Sequence, residues 1–418
     1  MSLSYSFLEV DMINDFSIYL LDPVIKIEYK MNMPKEIGNR FILEKSHLTK
    51  DTHTNNISQI ISDLLGLHAT NTSSAYISLF CRGKDFTTDV LHELLYKSKN
   101  IAKIRCIRGT VFFHHEDLIP TMHVATLKYR LRQMQKRLDY IKIGNQTLLD
   151  YKERILDLLK NKPLTIREIR EKLQTDVDLS SILIILSDLG LIVRSKPRNN
   201  WLDRMHTYEL FEEAVPNVKL DSITEQEAIE KIILQYVNHY GPVCLNDIVW
   251  WTGFGKTVVK ESLEKLFLKL TTIDVNPFNQ EFYISSDQLI LAKVLNPAHE
   301  SIISLLPILD PYIMGYKFRD RYIEEGKDYI FDRSGNATNT IILNGVVVGI
   351  WDWELDPPLI KYFLFGELSK NQLELLTIEL KEMGNFLMPK PFEIKKHDSM
   401  GPLTKRTAGW VLKPLRDT

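Results

Sequence analysis

Two stretches of this chain repeat one order of segments, and that order restricts the fold more than any single motif does. Thr147–Lys160 (TLLDYKERILDLLK) carries apolar residues at helical spacing, and Asn161-Lys162-Pro163 then breaks the helix. Thr165 caps a second helix over Ile166–Leu173, and a third, Leu179–Leu189, stops at Gly190. LIVRS and MHTYELF follow as two strands joined by a polar loop. The same order returns at Thr224–Tyr240, a long amphipathic helix ended by Gly241-Pro242. Cys244–Thr252 reads as the next helix and Gly253-Phe254-Gly255 as a turn. Lys256–Lys269 is then a third helix, and Thr271–Val275 with Gln280–Ile284 a hairpin. Three short helices followed by a hairpin make a winged helix, whose third helix usually enters the DNA major groove. In the first copy that helix is too apolar along Ile182–Leu186 to read bases, so the unit is expected to pack or position. In the second copy it presents Lys256, Lys260, Lys265 and Lys269.

The segment from Ile37 to about Tyr140 has room for a third such unit. Ile104–Phe113 (IRCIRGTVFF) has the composition of a strand pair, and Glu116–Arg137 reads as a helix with a basic second half. After Asn296-Pro297 the texture becomes β-rich, with Gly345 as a hairpin turn and one helix near Ser369–Met383. Trp351 and Trp353 alternate on a strand there and read as core rather than as base-stacking residues. Asp310 and Asp332, with Arg319, Arg321 and Arg333, are expected to form an ion-pair set within this region.

The net charge of −2 over 418 residues supplies no overall attraction to a polyanion, so any nucleic-acid site must be local. It is local between Lys97 and Lys142, where eleven Lys and Arg stand against three acids, Glu116, Asp117 and Asp139. Arg105, Arg108, Lys128, Arg130, Arg132, Lys136 and Arg137 are the candidates for backbone contact, with Lys256 and Lys260 from the later helix. The other reading of such a run is a solvated helix surface. Arg108-Gly109-Thr110 allows a close backbone approach to phosphate with a guanidinium beside it. For Arg105 and Arg108, the alternative is surface salt bridges to nearby acids. Cys81, Cys106 and Cys244 are odd in number, widely spaced and set among apolar neighbours, as reduced core thiols of a cytoplasmic protein would be. No spacing supports a metal site, since adjacent His114 and His115 diverge on a regular element, though both could reach the groove. The N-terminus lacks a basic leader, and no stretch has the apolar length of a membrane span. A monomer without metal or cofactor is expected.

Leu65–Arg82 (LGLHATNTSSAYISLFCR) places two polar side chains, His68 and Thr70, two residues apart between apolar runs. On an extended segment they share a side and could hold one water, while Asn71 points the other way. The plainer alternative makes His68 a hydrogen-bonded histidine at a helix end and Thr70 its cap.

That segment, together with RCIRGT (Arg105–Thr110), GPVCLNDIVWWTG (Gly241–Gly253), LPILDPYIMGYKFRDR (Leu306–Arg321) and DRSGNATNTIILNGVVVGIW (Asp332–Trp351), resembles the winged-helix DNA-binding family that includes the AlkZ and YcaQ bacterial DNA glycosylases. The likeness runs from about Ile37 to Pro414 and leaves Met1–Glu36 outside. It implies an α+β fold of three tandem winged helices, 37–145, 146–222 and 223–295, forming a concave channel for double-stranded DNA. A β-rich, barrel-like domain, 296–418, would follow. The activity it implies is monofunctional hydrolysis of the N-glycosidic bond of alkylated or crosslinked bases. In those enzymes a short motif (glutamine, an apolar residue, then glutamine or aspartate) lies where this chain has His68, Ala69 and Thr70. A neutral His68 could replace the first glutamine as hydrogen-bonding group or base, whereas Thr70 cannot supply the charge of an aspartate. A DNA-binding regulator or repair accessory protein without catalysis is the alternative function.

Overall fold

The computed structural model describes residues 31–295 and 300–403. The chain before residue 31, the expected boundary at Asn296-Pro297 and the C-terminal WVLKP segment lie outside the described residues. The first unit begins with β1 (Asn32–Pro34), α1 (Lys35–Lys45) and α2 (Ile57–Asp63). A two-residue strand, β2 (Leu67–His68), leads into α3 (Thr72–Phe80) and α4 (Thr88–Tyr96). The unit closes with β3 (Ile101–Arg105), β4 (Val111–His115) and the long α5 (Ile119–Ile141). The second unit holds α6 (Asn145–Leu159), β5 (Leu164–Thr165), α7 (Ile166–Leu173), α8 (Leu179–Asp188), β6 (Ile192–Pro197), β7 (His206–Leu210) and the short α9 (Phe211–Ala214). The third holds α10 (Glu225–Tyr240), α11 (Leu245–Thr252), α12 (Lys256–Lys265), β8 (Leu270–Asn276), β9 (Glu281–Ser285) and α13 (Ser286–Val294). The C-terminal unit consists of β10 (Ile303–Leu306), α14 (Pro311–Met314), α15 (Lys327–Ile330), β11 (Thr340–Leu343), β12 (Val346–Leu355), β13 (Pro358–Leu364), α16 (Lys370–Leu387) and β14 (Glu393–Lys396).

The repeated order of three helices and a hairpin is present at both places where the sequence carries it. Both leading threonines act through capping boxes: Thr165 with Glu168 starts α7, and Thr224 with Glu227 starts α10. α8 is buried along Leu179, Ile182, Leu183, Ile185 and Leu186, as its apolar sequence requires. α12 ends at Lys265 rather than Lys269. The Leu266 N–H bonds to the carbonyls of both Ser262 and Leu263, a tightening of the final turn that releases the chain into β8.

Hydrogen bonding joins units that are separate in sequence. The strand pair predicted within Ile104–Phe113 forms as β3 and β4, and β3 continues onto the second unit's hairpin through Lys103 opposite Arg194. The resulting six-stranded sheet has the order β2-β4-β3-β6-β7-β5. β1 pairs in parallel with β8, forming the sheet β1-β8-β9, and Met33 and Phe41 join the apolar cluster of Ile273, Val275 and Phe282. The expected boundary after residue 36 therefore cuts through α1, whose apolar face belongs with the third unit.

Among the described residues the C-terminal sheet is open, in the order β10-β11-β12-β13-β14, and does not close into the expected barrel. α16 lays Leu376, Leu380, Met383 and Leu387 in the same apolar cluster as Trp351 and Ile360 of the sheet. A covering helix removes the face from water, which is what closure would otherwise accomplish. Trp351 is core, as expected, and its indole N–H donates to the Leu306 carbonyl at 3.0 Å. Asn344 and Gly345, both with positive φ, form the two-residue turn between β11 and β12.

Gly66 delivers the chain into β2. Its φ is +98°, and a Cβ there would strike the His114 imidazole and approach the Phe113 carbonyl oxygen to 2.7 Å. Gly66→Ala is expected to lower unfolding free energy by about 1–3 kcal/mol, because the backbone is strained and neither neighbour is free to move. Urea denaturation measures this, and an unchanged midpoint would contradict it.

Candidate active site

Leu67 and Ala69 are buried in the first unit's core, so the intervening His68 faces outward and Thr70 is exposed. His68 is on a strand opposite Phe112, with the two rings edge to face at 5.2 Å. Asn71, not Thr70, occupies the N-cap position of α3, and its side-chain oxygen accepts from the Ser73 hydroxyl at 2.9 Å. The helix-end alternative for His68 and Thr70 is thereby overturned. The His68 Nδ1 atom is buried without a hydrogen-bond partner. Burial, with the nearby Arg108 charge second, lowers the His68 pKa to about 4, so the ring is neutral at pH 7.

Arg108 sits in the tight connection between β3 and β4 with a left-handed backbone, φ 50° and ψ 25°. The turn is held by Gly109 N–H donating to the Cys106 carbonyl at 2.9 Å and Cys106 N–H donating to the Thr110 carbonyl at 3.0 Å. The Arg108 guanidinium lies over the Trp250 indole of α11, 4.2 Å from the ring centroid. Gly253, just after α11, lets it pass: a Cβ there would stand 3.2 Å from the Arg108 Cγ. Arg319 approaches the same indole at 5.7 Å and stacks on Phe331 at 3.5 Å, while its Nη2 donates to the Gly335 carbonyl at 3.1 Å. Burial lowers the pKa of both arginines, and Arg319 adds repulsion at Arg108. The Nε atoms of both are buried without partners. Among the described residues, neither guanidinium forms an ion pair with a carboxylate.

The expected backbone-binding residues divide sharply. Arg105 is paired with Asp188 at 2.9 Å, the salt-bridge alternative. Arg130 is fully buried and donates to the carbonyls of Asp188 and His123, so its guanidinium is used inside the protein. Lys128 pairs with Glu225 at 2.6 Å, and Arg137 is within 3.4 Å of the Ser181 hydroxyl. Arg132, Lys136, Lys256 and Lys260 are exposed. His114 is buried against Cys106, its Nε2 at 3.2 Å from the sulfur, and does not reach a groove. His115 instead lies 3.2 Å from the Asp117 carboxylate.

The expected acid–base set of the C-terminal unit also forms differently. Asp310 pairs with Arg82, at 2.7 Å, and the Arg321 Nη2 donates to the Pro242 carbonyl at 2.8 Å. Asp332 accepts backbone N–H groups of Ser334 and Asn336 within its own turn. The reason is reach: α3 and the loop before α14 are far apart in sequence but packed together, which no local pattern records.

A family model for AlkZ-like DNA glycosylases matches residues 61–384. The chain belongs to the AlkZ-like DNA glycosylase family. Among solved structures, it is similar to the Streptomyces sahachiroi DNA glycosylase AlkZ, with a TM-score of 0.71 and 17% identity, over 87% of this chain and 100% of that one. At that identity the likeness speaks for a shared fold. No curated protein matches the sequence.

In this AlkZ-like chain, three of the five sequence blocks that carry the resemblance meet in one stack, Arg108, Trp250 and Arg319, and a fourth brings His68 within reach of the Arg108 charge. The fifth supplies the Gly335 carbonyl that holds Arg319. Trp250, Arg319 and Phe331 were not among the expected site residues. One signal was present for Trp250: adjacent tryptophans on an amphipathic helix cannot both face the core, and Trp251 is the buried one. Among the described residues, no group of three or more His, Cys, Asp or Glu could hold a metal, and no helix is long and apolar enough to cross a membrane.

Proposed function

We propose that this protein is a monofunctional glycosylase that hydrolyses the N-glycosidic bond of alkylated bases in duplex DNA, with His68 as the group that orients or deprotonates water. The observation that carries the reading is a neutral imidazole projecting from a strand anchored by Leu67 and Ala69, close enough to Arg108 for its charge to be felt. An N7-alkylated purine is already cationic, so the C1′–N9 bond breaks with its electron pair passing to the base. The oxygen of water then bonds to C1′, and its proton passes to His68 or to solvent. Such a leaving group needs no general acid, which suits a site whose histidine is a neutral imidazole rather than an imidazolium acid at pH 7. The exposed Thr70 hydroxyl is the second water ligand. Arg132, Lys136, Lys256 and Lys260 are the proposed contacts to the flanking backbone, within a channel formed by three winged-helix units.

The test is release of free 7-methylguanine from a methylated duplex under single-turnover conditions. Release is the expected result. Tight, salt-sensitive binding with no release would favour the non-catalytic DNA-binding alternative.

A further inference from the structure

Arg108, Trp250, Arg319 and Phe331 form one alternating stack of cation and ring, assembled from the β3–β4 turn, α11 and the segment around α15. We propose that Arg108 and Arg319 are a two-armed clamp for a DNA phosphodiester at the His68 centre, with Trp250 as the plate against which both are held. The proposal rests on the reading of the protein as acting on DNA.

Three features point to an anion. Two half-buried guanidiniums drawn to one indole repel each other, and the ring quadrupole offsets only part of that cost. Neither is neutralised by a carboxylate among the described residues, whereas the neighbouring Arg105 and the buried Arg82 both are. The Nε atoms of both are buried without a partner, and Arg319 also meets the Tyr322 hydroxyl, so the terminal Nη edges are what remain for a ligand. Stacking occupies the flat faces of a guanidinium and leaves its N–H edges to donate, which is the geometry that receives phosphate oxygens. The Arg108 turn is rigid, since its left-handed backbone is closed by two hydrogen bonds, and Gly335 fixes one edge of Arg319. Such a site aligns the strand before chemistry rather than taking part in it, so both arginines are positioning residues.

The experiment is fluorescence anisotropy of the full-length protein on two duplexes across a salt series. One duplex carries a tetrahydrofuran abasic analogue and the other is unmodified. Arg108→Gln and Arg319→Gln are each expected to reduce the slope of log affinity against log salt by about 0.9, one phosphate contact. Each should weaken binding to the abasic-analogue duplex by about tenfold, and binding to the unmodified duplex by less. Arg319→Lys, which keeps the charge and loses the planar fork, is expected to restore the slope but not the preference for the abasic analogue. If the Gln variants keep the wild-type slope and only melt earlier, the arginines pin the fold and the clamp is refuted while the glycosylase reading stands. If the wild type binds neither duplex in a salt-dependent way, the DNA reading itself falls, and the clamp with it.

Discussion

His68→Ala is expected to lower the single-turnover rate of base release by about a hundredfold while leaving duplex affinity within a few-fold of wild type. The magnitude is that of removing a positioned proton acceptor or water ligand. Affinity should survive because binding rests on the surrounding cations, not on a neutral ring. His68→Gln keeps a hydrogen-bonding group on β2 and restores the residue type that the family motif carries there, so it should hold the rate within about tenfold. The pH profile adds an independent check. Because burial lowers the pKa to about 4, the free enzyme keeps the neutral, active imidazole throughout pH 5.5–8. The second-order rate constant should therefore be flat across that window and fall only as pH approaches 4. A fall centred near the ordinary histidine value, about 6.5, would show a solvated ring and contradict the site as described. Equal rates for wild type and His68→Ala would remove His68 from the mechanism.

Asp310→Ala is expected to destabilise the protein by about 3–5 kcal/mol, since it strands a buried guanidinium. The Asp310 Oδ1 accepts from Arg82 Nη2 at 2.7 Å and from the Tyr312 N–H at 2.9 Å. Its Oδ2 accepts from Arg82 Nη1 at 2.9 Å and from the Ser78 hydroxyl at 2.8 Å. Arg82 also donates through Nε to the Ser46 carbonyl at 2.9 Å, so three segments meet at one ion pair with no solvent exposure. Replacing both partners, Arg82→Met with Asp310→Leu, should cost less than the sum of the single changes, because no uncompensated charge remains. Urea denaturation of the four proteins closes the cycle, and additive losses would mean that the two side chains do not act as a pair. The consequence reaches the site. α3 begins two residues after Thr70 and is tied down at its far end by this pair, so loosening it should reduce base release even where the protein remains folded.

The local signals were legible because they are local. Thr165 with Glu168 and Thr224 with Glu227 start helices through contacts three residues apart, and the Asn344-Gly345 turn needs only two residues of permissive backbone. The spacing of apolar residues placed α7 without error and the other repeated helices within a few residues, because helical periodicity and the capping residues are local signals, whichever unit the helix then packs on: α10 buries its apolar face with Ile119, Met122 and Ala125 of α5 in the first unit. The strand setting of His68 was also readable, since Leu67 and Ala69 alternate with it.

What sequence could not decide was which charges meet. The basic run from Lys97 to Lys142 looks uniform in sequence, yet Arg130 is buried, Arg105 answers Asp188, and Arg132 and Lys136 face solvent. Asp310 finds Arg82 rather than an arginine of its own segment, and Arg108 and Arg319 meet across one indole. Electrostatic pairing depends on distance in space and on desolvation, neither of which a spacing of residues encodes. The open C-terminal sheet has the same origin: strand content was evident, but whether its apolar face closes on itself or accepts a helix was settled by where α16 packs. By itself the sequence determined the kinds and order of the elements and the address of His68. The tertiary structure alone determined the company His68 keeps, because that company comes from segments whose only connection is packing.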